Sequence, residues 1–153
     1  MTKRELLNLY ISLNKLGHLQ GVKFAYGIAK NINILRPEVE AIQKAQDAAP
    51  EYIKFDQERI DLAQSMANKD EKGNPETNGM SYAITLREDF DREFKKLQDK
   101  YDEAIKDREK QMGEYEELLK EEVEVKLYKI KLSELPEAIT TEEVNKIFNI
   151  IEE

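Results

Sequence analysis

From Phe90 to Leu119 the chain returns to one kind of side chain every three or four residues: Phe90, Phe94, Leu97, Tyr101, Ile105, Arg108, Met112, Tyr115 and Leu119. A 3.6-residue period puts these positions on a single stripe of an α-helix. The run predicts one helix of roughly 35 residues, about 50 Å long at 1.5 Å per residue. Thr85 and Glu88 have capping-box spacing just ahead of it. So long a rod in a chain of 153 residues has to be covered by another helix.

That partner is legible upstream. Helical spacing runs from Val22 to Ala67 through Phe24, Ile28, Leu35, Val39, Ile42, Ile53 and Ile60. Pro37 and Pro50 interrupt it and predict kinks or restarts, because each removes an amide donor. Between the two runs lies "NKDEKGNPETNG" (68–79), a turn dense in Asn, Gly, Pro and charge. At the start, Thr2 and Glu5 cap a short helix over 3–16, which "LGHLQG" ends. "SYAITL" alternates like a short strand, as does "VEVKLYKIKL" (123–132), and Thr140 with Glu143 caps a last helix. The expected fold is mainly α: a long antiparallel helical hairpin with short β-strands and a C-terminal helix. One domain is expected over 1–153, with an N-terminal helix and turn (1–21), the hairpin (22–121, tip at 68–80) and a strand plus helix (122–153).

The two strands flank the long helix at opposite ends. Ten extended residues recover only about 33 Å of its 50 Å or so. The strands are therefore not expected to pair with each other, and unpaired edges invite pairing between chains. A homo-oligomer follows as an expectation.

Charged residues are 37% of the chain and aromatics 8%, with no Trp, which suits solvated helices around a narrow seam. The absence of Cys excludes disulfides, zinc–thiolate sites and cysteine nucleophiles. No apolar run reaches the roughly 18 residues of a membrane span, and "MTKRELLNLY" lacks a signal-peptide apolar region. The chain reads as a protein of the cytoplasm with no membrane contact.

The net charge of -8 is unevenly spread. Residues 1–36 carry Lys3, Arg4, Lys15, Lys23, Lys30 and Arg36 against Glu5 alone, a balance of +5 that leaves -13 for the rest. Such asymmetry points to a local anion-binding surface, or to basic ends associating with acidic bodies. The acidic remainder disfavours non-specific duplex DNA binding.

Within "VKFAYGIAKN", a helix puts Lys23, Gly27 and Lys30 on one face with Tyr26 at its border. Gly27 would leave the backbone bare between two ammonium groups, where a phosphate could sit while a base stacks on Tyr26. Arg4 and Arg36 are candidate outer contributors. The other reading is a solvated lysine face with a small residue for helix packing. His18, alone between two glycines, makes no zinc site. Asn68, Asp70 and Gly73 hint at a calcium loop, but Lys72 and Gly79 stand where it needs acidic ligands. Asp99 with Asp102 and Glu114 with Glu117 have the i, i+3 spacing of magnesium ligands. They lack the order found in all-helical nucleotide pyrophosphatases and are interleaved with lysines. No catalytic motif or cofactor fingerprint is present, so no cofactor is expected.

The segments "FAYGIAKNINILRPEVEAI", "ERIDLAQSMANKDEKGNPET" and "LLKEEVEVKLYKIKLSELPEAITTEEVNKIFNII" together resemble a group of small bacteriophage proteins of unassigned function. That resemblance implies a phage origin, a helical hairpin and a C-terminal strand–helix unit, with no catalytic residues to carry over. The expected function is a non-enzymatic, oligomeric binding protein antagonising host defence, by sequestering a small anionic nucleotide or by capping a defence protein. A virion assembly component is the alternative, and a metal-dependent nucleotide pyrophosphatase the second one.

Overall fold

The computed structural model describes all residues, Met1–Glu153. It is mainly helical, with six α-helices: α1 (Lys3–Lys15), α2 (Val22–Ala45), α3 (Pro50–Met66), α4 (Arg87–Lys100), α5 (Asp102–Leu118) and α6 (Thr141–Lys146). Two small sheets complete it. β1 (Thr77–Asn78) pairs antiparallel with β2 (Ser81–Tyr82), and β3 (Ile130–Lys131) pairs parallel with β4 (Ile151–Glu152). No helix is long and apolar enough to cross a membrane. Where one domain was expected, the chain divides into two compact units, Met1–Gln46 with Glu114–Glu153, and Asp47–Gly113.

The first unit holds most of the core. Leu6, Leu9 and Leu13 of α1 meet Phe24, Ile28, Leu35, Val39 and Ile42 of α2, with Ile130, Ile147 and Ile150 closing over them. The Thr2–Glu5 and Thr140–Glu143 capping boxes both form, each satisfying amides that a helix start leaves without partners. Gly21 caps α2 at φ 133°, a conformation that only glycine adopts without strain. α2 runs unbroken through Pro37, so the helix does not restart there. Leu35, Val39 and Ile42 are buried on either side of it, so packing outweighs the lost hydrogen bond.

The N-terminus is stitched to a distant stretch of the same unit. Lys3 and Arg4 N–H donate to Glu121 and Leu119 carbonyls, and Val123 N–H donates to Met1 O at 2.8 Å. Little of 123–132 is a ladder: only Ile130 and Lys131 pair, and with the C-terminal strand. Each predicted strand thus pairs over two residues within the chain, and the two do not pair with each other.

In the second unit, α3 and α4 form the helical hairpin, shorter than predicted. The seam is aromatic, with Phe55 at 5.7 Å from Tyr52, 5.8 Å from Tyr101 and 6.5 Å from Phe94, and Phe94 stacked on Phe90 at 5.7 Å. Only Phe55 and Ala67 of this unit are buried apolar residues. The predicted single rod is broken: α4 ends at Lys100, Tyr101 leaves helical geometry (φ -114°, ψ 20°), and α5 begins at Asp102. At this junction the Tyr101 hydroxyl donates to Glu58 at 2.8 Å, while Lys100 Nζ reaches the same carboxylate at 2.8 Å. The lysine first, and then the tyrosine, hold the Glu58 carboxyl below its ordinary range. Thr85 and Glu88 do not form a capping box. Leu86 occupies the cap position, and the Thr85 amide is taken by the Asn68 side chain at 3.1 Å.

The tip is two nested turns. Asn68 exchanges backbone hydrogen bonds with Ala83 and Glu76, while Gly79 at φ 65° followed by Met80 has the type II′ pattern of a tight hairpin. Inside it the Asp70 carboxylate accepts from the Lys72 and Asn74 amides, both at 2.8 Å. The Asn74 amide above all holds that carboxyl below the ordinary aspartate range. A depressed folded pKa contributes stability above the unfolded value, about 3.9, and loses it as pH falls through the folded one. In an NMR titration the Lys72 and Asn74 amide resonances should move together, with a midpoint below that of a free aspartate. A midpoint at or above it would show that the carboxylate does not take these two amides.

Candidate functional site

α2 presents the predicted cationic face, and the structure divides its members. Phe24, Gly27, Ile28 and Asn31 are buried, while Lys23, Tyr26 and Lys30 are exposed. Gly27 is not a bare patch of backbone, and this overturns its assignment as an anion contact. A Cβ built there would lie 2.6 Å from Ile130 Cγ1 and 2.8 Å from Ile130 Cδ1, with the Tyr128 ring next at 3.4 Å. The space that was to receive a phosphate holds the extended segment leading into β3. Glycine at this position serves helix–strand packing.

Asn31, one turn further along, completes the same seat. It is fully buried, donates to the Tyr128 carbonyl at 2.9 Å and to the Gly27 carbonyl at 3.1 Å, and accepts from Tyr128 N–H at 2.8 Å. A side-chain amide thus pairs with a backbone peptide as a neighbouring strand would. The reading of the sequence passed over Asn31, yet a signal was there. It interrupts the apolar stripe Phe24, Ile28, Leu35, and a polar group in a buried stripe needs partners.

Half of the basic residues of 1–36 are paired within their own unit. Lys3 pairs with Glu121, Arg4 with Glu116 at 2.5 Å, and Lys23 with Glu134 at 3.3 Å. Three of the six cations of residues 1–36 are thus paired with acidic residues after 114, so half of that cationic set is engaged in the fold. Arg36 is exposed on α2. His18 is exposed in the turn after α1, with Nδ1 2.8 Å from the Lys15 carbonyl and Nε2 4.0 Å from Glu143.

Lys30 and Tyr26 remain together. Lys30 Nζ lies 4.3 Å from the Tyr128 ring centroid and 5.7 Å from that of Tyr26, and the two rings meet edge to face at 5.8 Å. A cation over tyrosine faces is favourable, and here it also fixes the direction of the ammonium. Beside it runs an open groove of about 410 Å³ along Tyr26, Ala29, Lys30, Asn33 and Ile34. In the second unit a larger groove of about 680 Å³ lies along the start of α3 and the α4–α5 junction, with Tyr52 and Tyr101 among its walls.

Three of the four carboxylates at i, i+3 spacing are engaged with lysines. Asp99 is bonded to Lys95, Asp102 to Lys106 and Glu117 to Lys120. No group of three or more His, Cys, Asp or Glu side chains converges as a metal site. The chain matches no family model, and no curated protein or solved structure is detectably similar to it.

Proposed function

We propose that this is a non-enzymatic binding protein of phage origin that antagonises host defence by capping a defence protein through the Tyr26–Lys30–Tyr128 face. The observation that carries this reading is the ammonium of Lys30 lying 4.3 Å from the Tyr128 ring centroid and 5.7 Å from that of Tyr26, beside an open groove. Sites that retain small ligands bury most of the ligand's surface. An open groove with a directed cation and an exposed Tyr26 suits an acidic stretch of a protein surface, where tyrosine supplies contact area and lysine the charge. The phage origin rests on the resemblance of the three sequence segments alone. Oligomerisation belongs to the same reading, and the exposed Ile53, Ile60 and Leu86 of the second unit support it.

The test is complementation. Bacteria carrying single defence systems would express the chain and be challenged with a sensitive phage. The wild type should restore plaques on at least one such host by tenfold or more, and Tyr26→Ala with Lys30→Glu should abolish that rescue. Calorimetry against cyclic di- and trinucleotides and ADP-ribose derivatives should show no binding tighter than about 100 μM. Tighter binding that is lost in Lys30→Ala would replace capping by nucleotide sequestration. Stoichiometric presence of the chain in purified virions, without rescue, would replace it by an assembly role. A strict monomer in sedimentation at about 100 μM would remove the oligomer.

A further inference from the structure

Residues 124–127, between the N-terminal stitch and β3, have no strand partner. Val123, Val125 and Leu127 are half-buried, while Glu124 and Lys126 between them are exposed, the alternation of an extended strand lying on a core. Peptide groups of successive residues in such a strand point to opposite edges. The edge served by Glu121 and Val123 is taken by the N-terminus: Lys3 N–H donates to the Glu121 carbonyl at 3.0 Å, and Val123 N–H to the Met1 carbonyl at 2.8 Å. The other edge belongs to Glu124 and Lys126, whose N–H and C=O groups bond to nothing within the chain. Neither of their side chains stands in an ion pair. Further on, at Tyr128, the peptide groups are closed by Asn31. What is left is a short open edge, a template for another strand.

We propose that this edge pairs with the same edge of a second copy of the chain, antiparallel about a two-fold axis at Val125. Two-fold pairing sets one residue against another and the second against the first. Centred on Val125, it sets Glu124 against the partner's Lys126, and Lys126 against the partner's Glu124. Opposed residues share a face, so both ion pairs form on the solvent side, with Val123 against the partner's Leu127 on the other. Charge order selects both the occupant and the register. A uniformly acidic or basic strand would oppose one of the two side chains. Moving the axis to Glu124 or to Lys126 would set that residue against its own copy, and like charges directly opposite are destabilising. A slip by a single residue would turn the half-buried apolar side chains outward. The interface rests on the oligomer in the function proposed above and names the surface that forms it.

Sedimentation equilibrium of the full chain reads the association. The wild type should be a dimer at about 100 μM. Glu124→Lys alone and Lys126→Glu alone each bring like charges together twice in the dimer. Each should raise the dissociation constant about tenfold or more. An equimolar mixture of the two variants restores opposite charges throughout, and should dimerise to within about threefold of the wild type. Glu124→Lys combined with Lys126→Glu, which keeps the wild-type net charge, should do the same. The mixture also guards against loss of fold in a single variant, because a misfolded chain does not regain its partner. A wild type that stays monomeric at that concentration would overturn the proposal, and the oligomer with it. A dimer that both single variants leave intact, or that the mixture and the double variant fail to restore, would overturn this interface alone. Plaque rescue remains the separate measure of capping.

Discussion

Asn31→Ala is expected to destabilise the first unit by about 2–5 kcal/mol, because it strands two partly buried backbone groups at once. The Tyr128 N–H and C=O both lose their partner in the variant. Each buried polar group left unsatisfied costs about 1–3 kcal/mol. Asn31→Asp should be at least as harmful, since a carboxylate would face the Tyr128 and Gly27 carbonyls without a proton to give. The exposed neighbour Asn33→Ala should stay within about 0.5 kcal/mol. Urea unfolding followed by far-UV circular dichroism measures all three. If Asn31→Ala and Asn33→Ala unfold at the same urea concentration, Asn31 does not hold the segment on α2.

Phe24→Ala should cost about 3–5 kcal/mol, the range for emptying a buried aromatic position. Phe24 is fully buried and among the largest enclosed side chains of the chain. Phe148 is 70% exposed, so Phe148→Ala should change stability by no more than about 0.5 kcal/mol. The pair separates burial from the mere presence of a ring. Calorimetric melting of the two variants reads the difference directly. Similar melting temperatures would show that the core is not centred on the α1–α2 contact.

The two capping boxes, the N-terminal helix, the restart at Pro50 and the hairpin tip were all legible, because each rests on a local rule of spacing or turn chemistry. The break at Tyr101 was not. The apolar stripe continues across it without a skipped position, and the contact that Tyr101 makes there is with Glu58, 43 residues away. Thr85 misled for a related reason: Asn68 takes its amide from across the tip. Of the residues read as a cationic face, Lys23, Tyr26 and Lys30 are exposed while Gly27 is buried. Periodicity shows which residues share a side of α2, however, and not that Tyr128 and Ile130 would cover Gly27. The groove beside Tyr52 was equally out of reach, since its walls come from positions 47 to 111 and meet only in the fold.

The seat on α2 also sets an order of events during synthesis. Asn31 and its partner Tyr128 are 97 residues apart. At about 5–20 residues per second, the ribosome needs roughly 5–20 s to supply the second after the first. The second unit is continuous in sequence and emerges whole within that interval, whereas the first cannot close until residues beyond Glu114 are made. For those seconds the stripe of Phe24, Ile28 and Leu35 has only α1 to cover it. The inserted hairpin is therefore expected to fold before the unit that it interrupts, and the nascent N-terminal helices are the stage at which this chain is most exposed to chaperones and proteases.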